Sequence, residues 1–300
     1  MNDLKKHTTK DGSLSLYSLS FEEGFHDKGG ALRESIDKYL LPAQLEYFSN
    51  SDKICILDVC MGLGYNTGCI LEDLLQRNIK VEWHGLEIDK RPLDIGLSEK
   101  IFKKTWSPKV LNFFSCLKES GRWIEGHNEG TIHWGDARKK IHEIKNSLKF
   151  DLILLDPFSP QKCPELWSEE FIFLLSKRLS FKGRLITYSS AASIRASLKR
   201  AGLKIYSTVP KKSSNRKWSS GTVAMKKKLE RYFSSKGSQL KNLSEREIEH
   251  LATRSSIPYR DPTGEGNHKE IISKRELEQS KSQLINTSIW RKRWNTARKQ

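Results

Sequence analysis

Four carboxylates each follow a short apolar run: Asp58 after KICIL, Glu87 after VEWHGL, Asp136 after TIHWG, and Asp156 after LILL. A carboxylate that closes a buried strand stands at the edge of the sheet where open α/β folds bind ligands. Gly62 and Gly64 follow Asp58 in LDVCMGLGYNTG. Positions without side chains let backbone N–H groups approach a ligand, and a helix from about Asn66 would point its positive end at the same place. A dinucleotide fingerprint would need glycine where Thr67 stands, so the spacing does not fit GxGxxG. Glu87 could accept hydrogen bonds from both hydroxyls of a ribose, and Asp136, in GDA (Gly135 to Ala137), from an exocyclic amine. Taken singly, either acid reads as a helix N-cap or a surface charge. Three acids ending three successive strands read together as a nucleoside-cofactor site.

The elements that must hold these residues alternate in type. Strands KICILDV, VEWHGLEI, TIHW, FDLILL, GRLITYS, LKIYST and GTVAM are separated by helical patterns, including Glu165 to Leu179 and about Ala192 to Ala201. The run from Leu152 to Leu155 is aliphatic throughout, as in a strand buried on both faces of a parallel sheet. A doubly wound, seven-stranded, mostly parallel α/β sheet is expected over 51–225. Before it, 1–50 forms a cap: a hairpin around the DG of HTTKDGSLSLYSLS, then a helix from Ala31 to Leu41 ended by Pro42. Residues 104–130 read as an insertion with a helical piece near Val110 to Lys118. After Met225 the composition shifts to 18 Lys/Arg against 9 Asp/Glu, and 226–300 reads as a basic, partly helical extension. Trp290 and Trp294, set among five basic residues in IWRKRWNTARK, suit either a nucleic-acid backbone or packing on the protein.

With 53 basic against 36 acidic residues the 300-residue chain carries +17, an excess that attracts polyanions and suggests nucleic acid as partner. No apolar run reaches the roughly 18 residues of a membrane span, and the N-terminus lacks the apolar stretch of a secretory signal, so a cytoplasmic protein is expected. Cysteines at 55, 60, 69, 116 and 163 have neither zinc-site nor disulfide spacing, so reduced thiols and no metal are expected. No apolar seam demands a dimer, and a monomer is favoured.

The acidic residue followed by GxG resembles the first motif of S-adenosylmethionine-dependent methyltransferases, with Cys60 where a glycine is common. LLDPFSPQKCPELW, GALRES (Gly30 to Ser35) and GRLITYSSAASIRASLKRAGL narrow the resemblance to the MnmC-type tRNA methyltransferases, over roughly Ser13 to Met225. Those enzymes carry LDxFxPxxxPxxW and GGxLxTxxxAxxVRxxLxxAGF; here Pro157, Lys182 and Ile194 depart from the pattern without removing a reactive group. The resemblance implies a Rossmann-like methyltransferase fold and methyl transfer to the amine of a 5-aminomethyl group, with or without 2-thiolation, on a tRNA wobble uridine. Many members continue into a flavin-dependent oxidase, whereas only the basic tail follows here, so an aminomethyl substrate is expected. The implied cofactor set is Asp58, Gly62, Gly64, Asn66, Glu87, Asp136 and Ala137. Asp156 would hold the amine and take its proton or pass it to water, Phe158 would stack on the extruded uracil, Pro160 would stiffen the loop, and Glu34 would close the pocket. For Phe158, plain core packing competes with that role. Lys211, Lys212, Arg216 and Lys217, with Trp218, lie between the last two strands and are expected to meet phosphates near the anticodon loop. Two other readings stand beside this one: transfer to a different amine, or a noncatalytic RNA-binding protein on the same scaffold.

Overall fold

The aliphatic strand that leads into Asp156 is an interior strand of a mostly parallel sheet. The structure, a computed structural model, describes residues 3–48, 53–209, 221–227 and 240–296. It divides into two units, one of Met1–Phe158 with Arg178–Tyr188, the other of Ser159–Lys177 with Ser189–Gln300.

The first unit begins with a small antiparallel sheet of β1 (Leu4–Thr8), β2 (Leu14–Ser18) and β3 (Glu23–Gly24). Its DG turn is the one expected, with Gly12 at φ +85. The main sheet holds β4 (Lys53–Val59), β5 (Lys80–Glu87), β6 (Arg122–Glu125), β7 (Asn128–Trp134), β8 (Phe150–Leu155) and β9 (Leu179–Thr187), in the order β9-β8-β4-β5-β7-β6. Among these six strands all neighbouring pairs are parallel except β6 with β7. Leu152, Ile153, Leu154 and Leu155 have no exposure, and Ile54, Ile56, Leu57 and Val59 of β4 are equally enclosed. Full enclosure explains why β8 is written in aliphatic residues without alternation.

Three details of this unit depart from the sequence expectation, the first being β3, which adds a third strand to the expected hairpin. The region 104–130 is a helix (Pro108–Ser120) followed by an extra edge strand, β6, which returns on β7 through Gly126. And Pro42 does not stop the first helix. Helix Ala31–Ser35 widens into a π-helical turn, Ile36–Leu40, closed by the Leu41 N–H donating to the Ile36 carbonyl, and continues through Leu41–Ala43. A proline ring collides with the carbonyl four residues back in a regular helix; the wider turn just before Pro42 relieves that collision. The chain then turns at Gln44, whose φ is +49.

The second unit contains helix Ala192–Arg200 and the antiparallel strands β10 (Lys204–Thr208), β11 (Gly221–Met225) and β12 (Leu240–Lys241), in the order β12-β10-β11. β10 and β11 are the last two strands expected from sequence; the two-residue β12 was not foreseen. Helices Glu245–Leu251, His268–Lys281 and Thr287–Arg293 follow, the first two opened by capping boxes at Ser244 and Asn267. The Arg195 guanidinium, 1% exposed, donates to Glu247, Ser207, Thr222 and the Gly221 carbonyl. Trp290 is buried and stacks on His250 at 4.0 Å between centroids, and Trp294 donates to Glu249. Both tryptophans therefore have protein partners. The five cysteines are free thiols. Among the described residues no helix is long and apolar enough to cross a membrane.

Candidate active site

The parallel strands of the first unit end in register because backbone bonds continue past them. Cys60 N–H donates to the Leu86 carbonyl at 2.9 Å, Gly135 N–H to Glu87 at 2.8 Å, and Asp156 N–H to Val59 at 3.1 Å. These bonds set Asp58, Glu87, Asp136 and Asp156 along one sheet edge.

Cys60 takes the left-handed conformation (φ +68) that explains the usual glycine there; cysteine adopts it at a cost of roughly 1 kcal/mol. Gly64 caps helix Tyr65–Gln76 at φ +86, and a Cβ on it would lie 2.5 Å from the Phe114 ring. Asp58 is fully enclosed. Thr67 donates to its Oδ2 at 2.5 Å and is itself bonded by the Trp83 indole at 2.9 Å, while Oδ1 has no partner. Burial pushes the Asp58 carboxyl up to about 7. Such an orphaned buried oxygen beneath a glycine turn is what a polar cofactor would satisfy.

Glu87 closes β5 and pins the turn: its carboxylate accepts from Gly62 N–H at 2.9 Å, Ile88 N–H at 2.7 Å and Asp89 N–H at 2.8 Å. Burial raises its proton affinity against the pull of these three donors. Its two oxygens offer about four lone-pair directions, so at least one remains for a ligand hydroxyl. Asp136 caps the short helix beginning at Ala137, accepting from Arg138 N–H at 2.9 Å and forming an ion pair with the Arg138 side chain at 2.7 Å. Burial opposes ionisation there, but the Arg138 bonds win and hold the carboxyl below the usual range.

Asp156 is half-buried and gripped on both oxygens. Tyr39 donates its hydroxyl to Oδ1 at 2.5 Å and Asn66 its amide to Oδ2 at 2.7 Å. Crowding by protein atoms pushes this carboxyl up to about 8; the two hydrogen bonds oppose the rise and the nearby Glu34 charge adds to it. Glu34 itself is paired with Lys38 and accepts from Asp27 N–H. Phe158 stacks on Phe21 (4.4 Å between centroids, 21° between planes) and meets Phe25 edge-on at 5.1 Å. Phe25 also covers the glycine turn, since a Cβ on Gly62 would come within 3.3 Å of its ring.

Several of these residues do not emerge from sequence reasoning. Tyr39, Lys38, Phe21, Phe25 and Tyr188 carry no motif of their own, and Asn66, expected at the cofactor, also bonds Asp156. Their one signal is position: Tyr39 lies four residues past the GALRES string and Tyr188 within the fifth expected strand, GRLITYS, at a place the family pattern leaves unspecified. Pro160 is partly exposed in the second unit. Lys211, Lys212, Arg216, Lys217 and Trp218 lie outside the described residues.

Parallel α/β order, a glycine turn after the first strand of the main sheet and acids at successive strand ends define an S-adenosyl-L-methionine-dependent methyltransferase. The family described as S-adenosyl-L-methionine-dependent methyltransferase matches residues 102–227. The crystal structure of MNMC2 from Aquifex aeolicus superposes with a TM-score of 0.76 at 29% identity, covering 93% of this chain and 86% of that one. The uncharacterized protein MJ0670 of Methanocaldococcus jannaschii is 31% identical over 283 residues, 92% of this chain and 73% of that protein. The bifunctional MnmC protein of Campylobacter hominis, named for tRNA 5-methylaminomethyl-2-thiouridine biosynthesis, is 27% identical over 168 residues, 54% of this chain but only 25% of its own length. The chain belongs to the MnmC-like methyltransferase family, and spans about a quarter of the length of that bifunctional relative.

Proposed function

We propose that the chain transfers a methyl group from S-adenosyl-L-methionine to the primary amine of 5-aminomethyluridine, or its 2-thio form, at the wobble position of tRNA. The observation that supports this most is the carboxylate of Asp156, held on both oxygens at the strand end beside the cofactor turn. The name borne by the MnmC relatives and the +17 charge point to a tRNA acceptor.

The cofactor supplies an electrophilic methyl group. In this reading Asp58, with one oxygen unpartnered, and Glu87, with a lone pair to spare, fix its polar parts, and Gly62, Gly64, Asn66, Asp136 and Ala137 line the rest of the cofactor site. An alkylammonium cannot attack until it loses a proton. Asp156 can hold it by a charge-assisted hydrogen bond and accept that proton, which frees the nitrogen lone pair for in-line displacement; most of the acceleration then comes from positioning. In this reading Phe158 takes the uracil on its face, Glu34 stands at the rim, and Pro160 stiffens its loop. Lys211, Lys212, Arg216 and Lys217 meet backbone phosphates.

The test is mass spectrometry of nucleosides from tRNA carrying aminomethyluridine, after incubation with protein and S-adenosyl-L-methionine. A gain of one methyl on that nucleoside is expected; its absence overturns the proposal. Asp156→Asn should lose about 100-fold or more in turnover while binding the cofactor normally, as calorimetry would read.

A further inference from the structure

The hydroxyl of Tyr39 is buried against the carboxylate of Asp156. Tyr39 is 1% exposed, and its Oη lies 2.5 Å from Asp156 Oδ1 and 3.4 Å from the Leu155 carbonyl, while it accepts the Tyr188 N–H at 3.3 Å. One proton donated and one accepted exhausts the ordinary capacity of a phenol. Because the Tyr188 N–H fills an acceptor position, the phenol proton is directed at the carboxylate. Tyr188 is fixed in turn by its own hydroxyl, which donates to the Pro157 carbonyl at 2.9 Å, one residue after Asp156. Tyr39 belongs to the π-helical turn Ile36–Leu40, and such turns concentrate at functional sites because they re-aim a side chain at the expense of regular bonding.

We infer that Tyr39 is a positioning residue for the methyl transfer, its phenol holding Asp156 as the carboxylate oriented to receive the proton of the incoming amine. Asn66 completes the grip on the opposite oxygen. Two donors, one on each oxygen, leave one lone-pair direction per oxygen for the substrate N–H groups and prevent the carboxyl from rotating. The charged groups around Asp156 are Glu34 and Lys38, paired with each other on the same helix as Tyr39; Tyr188 faces it from the loop after β9. Burial makes Asp156 reluctant to ionise, up to about 8, and the phenol bond opposes that reluctance. Loss of the phenol proton therefore raises the proton affinity of Asp156 further, and the reaction should need a higher pH.

This inference rests on the acceptor amine proposed above, so its test has one readout with substrate and one without. In Tyr39→Phe, the rising limb of kcat/KM against pH should move up by about one unit, the change expected for one charge-assisted hydrogen bond, leaving activity at pH 7 about tenfold lower and largely restored at pH 9. Carbon-13 NMR of aspartate-labelled protein, with the Asp156 signal assigned by Asp156→Asn, should show the same upward move of its titration midpoint without any substrate. Replacing Tyr39 alone by 3,5-difluorotyrosine, a stronger donor of the same shape, should move both midpoints down, and stands in for the phenylalanine variant if that fails to fold. An NMR midpoint that shifts on substitution of Tyr39, while the wild-type protein is inactive on aminomethyluridine tRNA, would support the Tyr39 grip while sinking the acceptor assignment. A midpoint unmoved by either substitution overturns the inference. So does a uniform loss of activity at every pH.

Discussion

Among the described residues, two aspartates, Asp58 and Asp156, are raised above their ordinary titration range by burial. Asp58 titrates at about 7 because it has no exposure and a single hydrogen-bond donor. Its folded-state value lies above that of the unfolded chain, so the stability linked to it is complete below about pH 4 and is lost as pH rises through about 7. Asp58→Asn should consequently raise Tm at pH 8.5, show a smaller gain near pH 5, and weaken S-adenosyl-L-methionine binding; calorimetry of folding and of cofactor binding checks both. On the proposed cofactor role of Asp58, stability is given up here for binding. At this scale the sequence was informative about location more than about partners. The run LILL places Asp156 at a strand end because full burial leaves no polar alternation to confuse the reading. Its grip by Tyr39 could not be read, since a π-helical turn rotates side chains away from the positions that helical periodicity assigns. Asp136 shows the opposite limit: N-capping and ligand binding ask for the same residue type, and the structure displays the cap.

Elements are held by a few specific devices as well as by aliphatic burial. In the second unit the Arg195 guanidinium and the Glu247 carboxylate, 2.8 Å apart, are almost entirely enclosed, and Glu247 also accepts from the Ser207 hydroxyl and from the backbone and hydroxyl of Ser244, its own helix cap. Burial works against the Glu247 charge, but Ser207 and Arg195 hold its carboxyl down to about 2. The stability it contributes is present above the unfolded value and disappears only as pH falls through about 2. Glu247→Ala would strand a buried cation, and should cost about 3–5 kcal/mol in denaturant unfolding. Arg195 is the first arginine of the IRASLKRAGL string, so that part of the motif has a structural use. The strands that sequence reading missed are the ones with least to write with: β6 is a four-residue edge strand with only Trp123 buried, and β3 and β12 have two residues each. Short edge strands carry too few residues to show a period.

For the molecule as a whole, the charge of +17 sets how it should meet a polyanion. Affinity for tRNA should fall linearly with salt on logarithmic axes, and reversing Lys211, Lys212 and Lys217 should flatten that slope by up to about 0.9 for each phosphate the lysines no longer neutralise, as filter binding from low to high salt would measure. An unchanged slope would move the RNA-binding surface elsewhere. The tail tryptophans illustrate why composition alone could not assign that surface: Trp290 and Trp294 sit among arginines and lysines, yet each spends its indole on a neighbouring helix. One further tryptophan has a use of another kind. Trp83 has no exposure and its indole N–H is joined to the Asp58 carboxylate through the Thr67 hydroxyl alone. An indole wired by two hydrogen bonds to a buried acid feels that acid's charge, so the protein carries its own optical probe of whether Asp58 is ionised.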